Sequence, residues 1–398
     1  MKKTGGSRLW VANVSFLLHI WVALRRQALL LTLIVGLLLA KGVAVSAYVT
    51  GPCSDCHTMH YSQGGEALSV WGSAGPYDAL LTVDCIGCHT GDNSAGGKVP
   101  FVMPETPALI SYGGATGTGT ETGSTTLAGG SFYWVLSGHS FGHNVAGYCD
   151  PDSTMVNNSS VNLPPGYVSG WPAAGSGGTP AGGGSWDKNQ QVTCAGTYGC
   201  HGSHVTTNQA QAIHGGHHAL NGPAIISPEP SSADYRMLFG IAGIEDSDWE
   251  FKPTVSQHNQ YHGVDGSGSV DRSTISYLCS QCHGRFHFND DVSAPVESPW
   301  VRHPTNFDMS GASSSEYAKY NNGIGVGIYS LVAPVASDLS LSANQIIKEN
   351  IFTTTDDAIV TCLSCHRAHG SPYYKSLRWN YAGSANGGSC AVCHTEKN

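Results

Sequence analysis

The chain has 398 residues, of which only 12 % are charged, about half the share usual in soluble proteins, and its net charge of −9 leaves no case for a nucleic-acid partner. Glycine reaches 51 residues, roughly twice its usual share, so the composition predicts few regular helices and many turns. Cysteine, at 13, and histidine, at 19, are the outliers.

Taken in chain order, residues 1–47 read as an export segment. Arg25 and Arg26 precede the apolar run 28–40, and "VSA" at 45–47 offers a small-residue cleavage site before Tyr48. A second apolar stretch at 11–24 makes the segment longer than the roughly 15–30 residues of a signal peptide, and an uncleaved anchor or a misassigned start are the alternatives. The expectation is Sec-type export of 48–398, which ends secreted, extracellular or on the cell surface. There thiols pair or carry a cofactor.

From residue 48 onward one motif recurs. Cys-x-x-Cys-His occurs at Cys53–His57, Cys85–His89, Cys279–His283, Cys362–His366 and Cys390–His394. A widened version, "CAGTYGCH", runs from Cys194 to His201 with five residues between the thiols. Cys149 is left over. The stretches between motifs, such as 113–131 and 170–185, are polar and glycine-rich, and short helices are expected at 205–213 and 338–350. The copies have no fixed period, which excludes a solenoid.

The spacing explains the chemistry. Two thiols three residues apart lie on one side of a helical turn and can add as thioethers to the two vinyl groups of a haem. The histidine that follows then faces the iron; this is the c-type haem attachment motif. The covalent positions are therefore Cys53, Cys56, Cys85, Cys88, Cys194, Cys200, Cys279, Cys282, Cys362, Cys365, Cys390 and Cys393. The proximal ligands are His57, His89, His201, His283, His366 and His394. Zinc ribbons also use paired cysteines, but they do not require a histidine after every pair. A disulfide framework does not require one either. At the widened site, Gly196 and Gly199 would let the loop bulge aside, and a Cys194–Cys200 disulfide is the alternative.

Six haems need six further ligands for bis-histidine coordination. Thirteen histidines lie outside the motifs, twelve of them past the export segment. Methionine would be the other sixth ligand and would raise the potential; Met59 and Met155 are the nearest choices. His60, His204, His287 and His369 follow their motifs closely, too close to reach back to the same iron. Each is placed to bind a neighbouring haem.

The pieces "CSDCHTMHYSQGG", "GHNVAG" (142–147), "YRMLFG" (235–240), "LCSQCHGRFH" followed by "VRHPTN", "TCLSCHRAHG" and a terminal "CAVCH" resemble, in order and rough spacing, the hexahaem OmcS-type cytochromes. Members of that family polymerise into extracellular filaments. The resemblance implies a multihaem cytochrome c fold over 48–398, mostly irregular, with short helices at the motifs, little sheet and the six haem c groups as core. It implies His60, His143, His204, His287, His303 and His369 as distal ligands, with His60 reaching the haem at Cys362 and Cys365 of an adjacent subunit. His139, His214, His217 and His218 are weaker distal candidates, with His258 and His262 beyond them. The widened third motif and Cys149 depart from the family pattern.

The function expected is extracellular electron transfer without enzymatic turnover. Its partners would be further copies joined head-to-tail, upstream outer-membrane or periplasmic cytochromes, and external acceptors such as metal oxides or partner cells. A monomeric multihaem carrier is the alternative. A nitrite- or hydroxylamine-type oxidoreductase is disfavoured by the ligand surplus.

Overall fold

The computed structural model describes residues 21, 25, 52–59, 62–63, 66–67, 69–70, 73–74, 80–97, 99–104, 126–152, 156–158, 161–162, 164–167, 190–218, 235–246, 248–255, 257–265, 271–286, 305–309, 320, 327–338, 350–351, 357–380 and 388–394. The chain divides into two units, 1–45 and 46–398. In the first, the Arg25 guanidinium lies 3.7 Å over the Trp21 ring. Among the described residues no helix is long and apolar enough to cross a membrane.

The second unit is built of turns, single helical turns and two-stranded ladders, as the composition predicts. Seven ladders are described, each two strands wide; six are antiparallel and one, Thr193–Ala195 with Gly199–His201, is parallel. Among the described residues of this unit the α-helices are Cys85–Cys88, Gln209–Ala212 and Ile275–Ser280. Each starts at a side-chain cap: Asp84, Asn208 and Thr274 accept from the backbone N–H groups of Gly87, Gln211 and Tyr277. Such caps satisfy donors that a short helix leaves open. Of the helix expected at 205–213 only Gln209–Ala212, in its C-terminal half, is present, whereas 339–349 lies outside the described residues.

Among the described residues the buried apolar side chains do not form one core. They divide into three small clusters, centred on Tyr320, Tyr329 and Val335; on Ile241, Tyr261 and Ile359; and on Ile86, Phe132 and Val145. Each cluster lies under a motif: Cys393, Leu363 and Cys194 pack against them respectively. The polypeptide thus supplies pads between motifs, which fits a fold whose core includes prosthetic groups.

The loop 245–259 is held by polar contacts instead. Arg236 pairs with Glu245 at 3.2 Å, Asn259 Oδ1 accepts the Asp246 N–H at 2.8 Å, and Gln257 Nε2 donates to Asp246 Oδ1 at 3.1 Å. Burial, and then contact with the Asp246 carboxyl, push Asp248 up to about 6. This folded value lies above the roughly 3.9 of an unfolded aspartate. The folded chain therefore takes up the proton first, and the penalty is present above pH 6 and fades as pH falls toward 4. Asp248→Asn is expected to raise the unfolding midpoint at pH 7.5 and to leave it unchanged near pH 4. Denaturant melts at the two pH values check this.

Candidate haem sites

The five regular motifs share one backbone device. In each, the histidine N–H donates to the carbonyl of the first cysteine: His57 to Cys53 at 2.8 Å, His89 to Cys85 at 3.0 Å, His283 to Cys279 at 3.0 Å, His366 to Cys362 at 3.0 Å and His394 to Cys390 at 2.9 Å. One helical turn places two thiols on one side and delivers the imidazole next to them.

The widened motif reaches the same end differently. In the parallel ladder Thr193 pairs with Gly199 and Ala195 with His201, so Cys194 and Cys200 are lateral neighbours. Neighbouring strands lie about 4.8 Å apart, close to the span of a helical i, i+3 pair. The loop closes through Thr193 N–H to Tyr198 O at 3.0 Å and Gly196 N–H to His201 O at 3.1 Å. A Cβ on Gly199 would sit 2.6 Å from the Ala195 backbone, and Gly196 is at φ +89° with its Cβ position 2.6 Å from Thr206 O. Both glycines are needed for the loop to shut. None of the 13 cysteines is disulfide-bonded in this structure.

The imidazoles are oriented by carbonyl oxygens, which can only accept, so Nδ1 carries the proton. His89 Nδ1 donates to Pro100 O at 2.8 Å, His201 to Arg236 O at 3.0 Å, His283 to Pro165 O at 2.7 Å and His366 to Lys375 O at 2.8 Å. His143, outside the motifs, is held alike by Ala368 O at 2.5 Å. Each is left with Nε2 as the lone-pair donor, the tautomer an iron ligand needs. Burial lowers the pKa of His89 and His201 and pushes His283 down to about 4, keeping these rings neutral at physiological pH.

Four motif histidines face a second histidine. Ring centres are 6.1 Å apart for His57 and His218, 6.2 Å for His89 and His217, 6.1 Å for His143 and His283, and 6.4 Å for His201 and His369. With a metal–imidazole bond of about 2.0 Å on each side and roughly 1.2 Å from nitrogen to ring centre, two imidazoles across one metal stand about 6.4 Å apart. The residues present therefore fit an iron held between paired imidazoles. His369 is further fixed by stacking on Phe132 at 4.6 Å, and burial pushes it down to about 3. Its approach needs Gly129 and Gly130: a Cβ on the first would lie 2.8 Å from His369 Nδ1, on the second 2.0 Å from Gly370 O.

Other candidates are placed elsewhere. His204 is buried, with Nε2 3.4 Å from Cys200 O. His139 Nδ1 contacts Asn144 Nδ2 at 3.1 Å, His214 is exposed, His258 stacks on Tyr329 at 3.7 Å, and His262 lies 3.7 Å from Asp271. His60, His287, His303 and Met155 lie outside the described residues, whereas Met59 is exposed.

The sites adjoin one another in sequence order. The thiol of Cys88 is raised by burial and then by neighbouring Cys56. Cys85 and Cys194 hydrogen-bond to each other, which lowers the first and raises the second. Burial pushes Cys282 up to about 12, with Cys200 beside it. Cys279 bonds to Cys362, raising Cys279 and lowering Cys362. Burial pushes Cys365 up to about 12, with smaller contributions from Cys362 and then Cys390.

The last two motifs fall within one known family model. Residues 355–398 match the doubled CXXCH motif, which spans Cys362–His366 and Cys390–His394. No curated protein matches the chain. Two solved structures are similar to it. One is an outer membrane cytochrome S filament from Geobacter sulfurreducens, 19 % identical over 85 % of each chain with a TM-score of 0.44. The other is a cryo-EM structure of OmcS nanowires from the same organism, 20 % identical over 85 % of each chain with a TM-score of 0.41.

Proposed function

We propose that the chain is an electron conduit of six covalently held haems, secreted and joined head-to-tail with further copies of itself. The observation that carries this reading is the set of four histidine pairs at 6.1–6.4 Å. Bis-histidine sites leave no open position for substrate, so they suit electron transfer and not bond-making chemistry. Haem, when bound, supplies an iron that takes up and releases one electron. The chain does the rest: the cysteines of the six motifs anchor it, their histidines ligate it, and carbonyls hold the rings of His89, His201, His283 and His366 in their tautomer.

The distal set we assign is His218 for the first site, His217 for the second, His369 for the third and His143 for the fourth. The fifth and sixth draw on His60, His287 and His303. Contact of each motif with the next supports one unbroken row of six in sequence order. Assembly is supported by apolar surface at the first site, where Met59 is 82 % and Leu80 47 % exposed, immediately before His60 in the chain for Met59 and bonded to Thr58 through its carbonyl for Leu80. His60 in a neighbouring copy would complete the Cys362–His366 site. A contact of that head-to-tail kind repeats into open filaments. Donors in the envelope and acceptors outside the cell complete the path.

Intact mass of the secreted protein tests the reading, together with electron microscopy of the same fraction. Six haem masses above the apoprotein, low-spin spectra and filaments are expected. Five haem masses, or a native haem that binds carbon monoxide readily, would sink the six-site bis-histidine form. Monodisperse single chains would sink the assembly.

A further inference from the structure

Two of the carbonyls that orient motif histidines come from the same unusual turn. Arg236 and Met237 are consecutive residues at φ +51° and +57°, and Lys375 and Ser376 at φ +60° and +57°. Non-glycine residues seldom enter this left-handed region, and two in succession are rarer. In both turns the first residue's carbonyl accepts from the imidazole: Arg236 O from His201 Nδ1 at 3.0 Å, Lys375 O from His366 Nδ1 at 2.8 Å. In both, the second residue's carbonyl accepts from the backbone N–H just after that histidine: Met237 O from Gly202 at 2.7 Å, Ser376 O from Arg367 at 2.8 Å. In both, the next residue is a leucine in bridge contact with the motif, Leu238 with Gly202 and Leu377 with His366. The first site shares the second half: Leu80, at φ +54°, accepts from Thr58 N–H at 2.8 Å, and Leu81 bridges His57.

We propose that these turns are a recurring two-pronged clamp, in which Met237 and Ser376 are positioning residues that set the iron potential of the third and fifth sites. This rests on the haem reading above. Consecutive carbonyls point the same way in helical backbone of either hand, and in both of these turns the two residues are left-handed. The first prong fixes ring direction and tautomer; the second stops the motif from sliding relative to the first. A firm Nδ1–H···O bond makes the imidazole a stronger donor, which favours the ferric state and lowers the potential. At the second and fourth sites the carbonyl belongs to Pro100 or Pro165 instead, so the device is a property of particular sites and not of the motif.

The test uses neutral substitutions in the full haem-loaded protein. Glycine tolerates the left-handed region, alanine less, and valine is a steric outlier there. Ser376→Gly should overlay the parent in a spectroelectrochemical titration. Ser376→Ala should move one of the six midpoints part-way upward, and Ser376→Val should move the same midpoint further. Met237→Gly and Met237→Val should behave alike on a different midpoint. The His366 Nδ1–H should exchange with solvent faster in Ser376→Ala than in Ser376→Gly. Ser376→Ala and Met237→Val titrations that overlay the parent, or glycine variants that shift as far as the valine ones, would overturn the clamp. A parent mass short of six haems would instead sink the attachment reading beneath it.

Discussion

Replacing both thiols of the widened motif, Cys194→Ala with Cys200→Ala, is expected to give a protein with five haem masses in place of six. The loss should fall on the third site alone, because the five regular motifs close through their own backbone turns. Its effect on function should be larger than one sixth. Cys194 and Cys200 lie between Cys85 on one side and Cys279 and Cys282 on the other, so in the proposed row the removal would leave two haems and three. Electron transfer from end to end should collapse, while each segment still reduces and reoxidises. Peptide mapping with absorbance at the haem band checks attachment, and conductance or stopped-flow reduction checks the break. A variant that keeps six haems, or five haems with undiminished end-to-end transfer, would show that the widened site is not in the path.

His369→Ala should have the second-largest effect, and a different signature. All six haems stay attached, but the third loses its distal ring. About one sixth of the haem absorbance should become high-spin and bind carbon monoxide. Loss of the Phe132 stack should cost about 1 kcal/mol of stability in addition to the lost ligand bond. His369→Met should restore a low-spin centre with a higher potential, because thioether ligation favours the ferrous state. Magnetic circular dichroism and a redox titration of the three proteins make the comparison. If His369→Ala remains wholly low-spin, the facing ring of His201 has another partner.

What could be read from the sequence follows how local each feature is. The helical turns at the motifs were legible because their geometry is complete within five residues, from Cys53 to His57 or Cys362 to His366. The irregular fold was legible from glycine and the sparse charge. The facing partners were not, because they come together only in the folded chain: His143 meets His283, and His369 meets His201. His369 and His143 stood among the candidates, but nothing in the spacing says which ring each faces. "HGGHH" offered three competitors, and only the turn Gly216–His218 decides that His217 and His218 face His89 and His57 while His214 is exposed. His204, close behind its motif, looked equivalent to His369 by spacing, yet its Nε2 lies 3.4 Å from the Cys200 carbonyl. The glycines of the widened motif were a usable hint, but the parallel ladder they permit was not foreseeable, since parallel strands rarely connect through so few residues.

The contact between motif thiols also bears on how the protein is made. Cys85 hydrogen-bonds to Cys194, and Cys279 to Cys362, each pair belonging to two different motifs. Two thiols that close are one two-electron oxidation away from a cross-link, and the compartments outside the cytoplasm favour that oxidation. Such a bond would consume one anchor from each of two sites and leave both unable to mature. On the proposed haem reading the chain is loaded, or its thiols kept reduced, before these pairs close. On that reading, maturation is a race between ligation and misoxidation, and exposure of the unloaded chain to an oxidising space without a reductant should yield a disulfide-locked apoprotein.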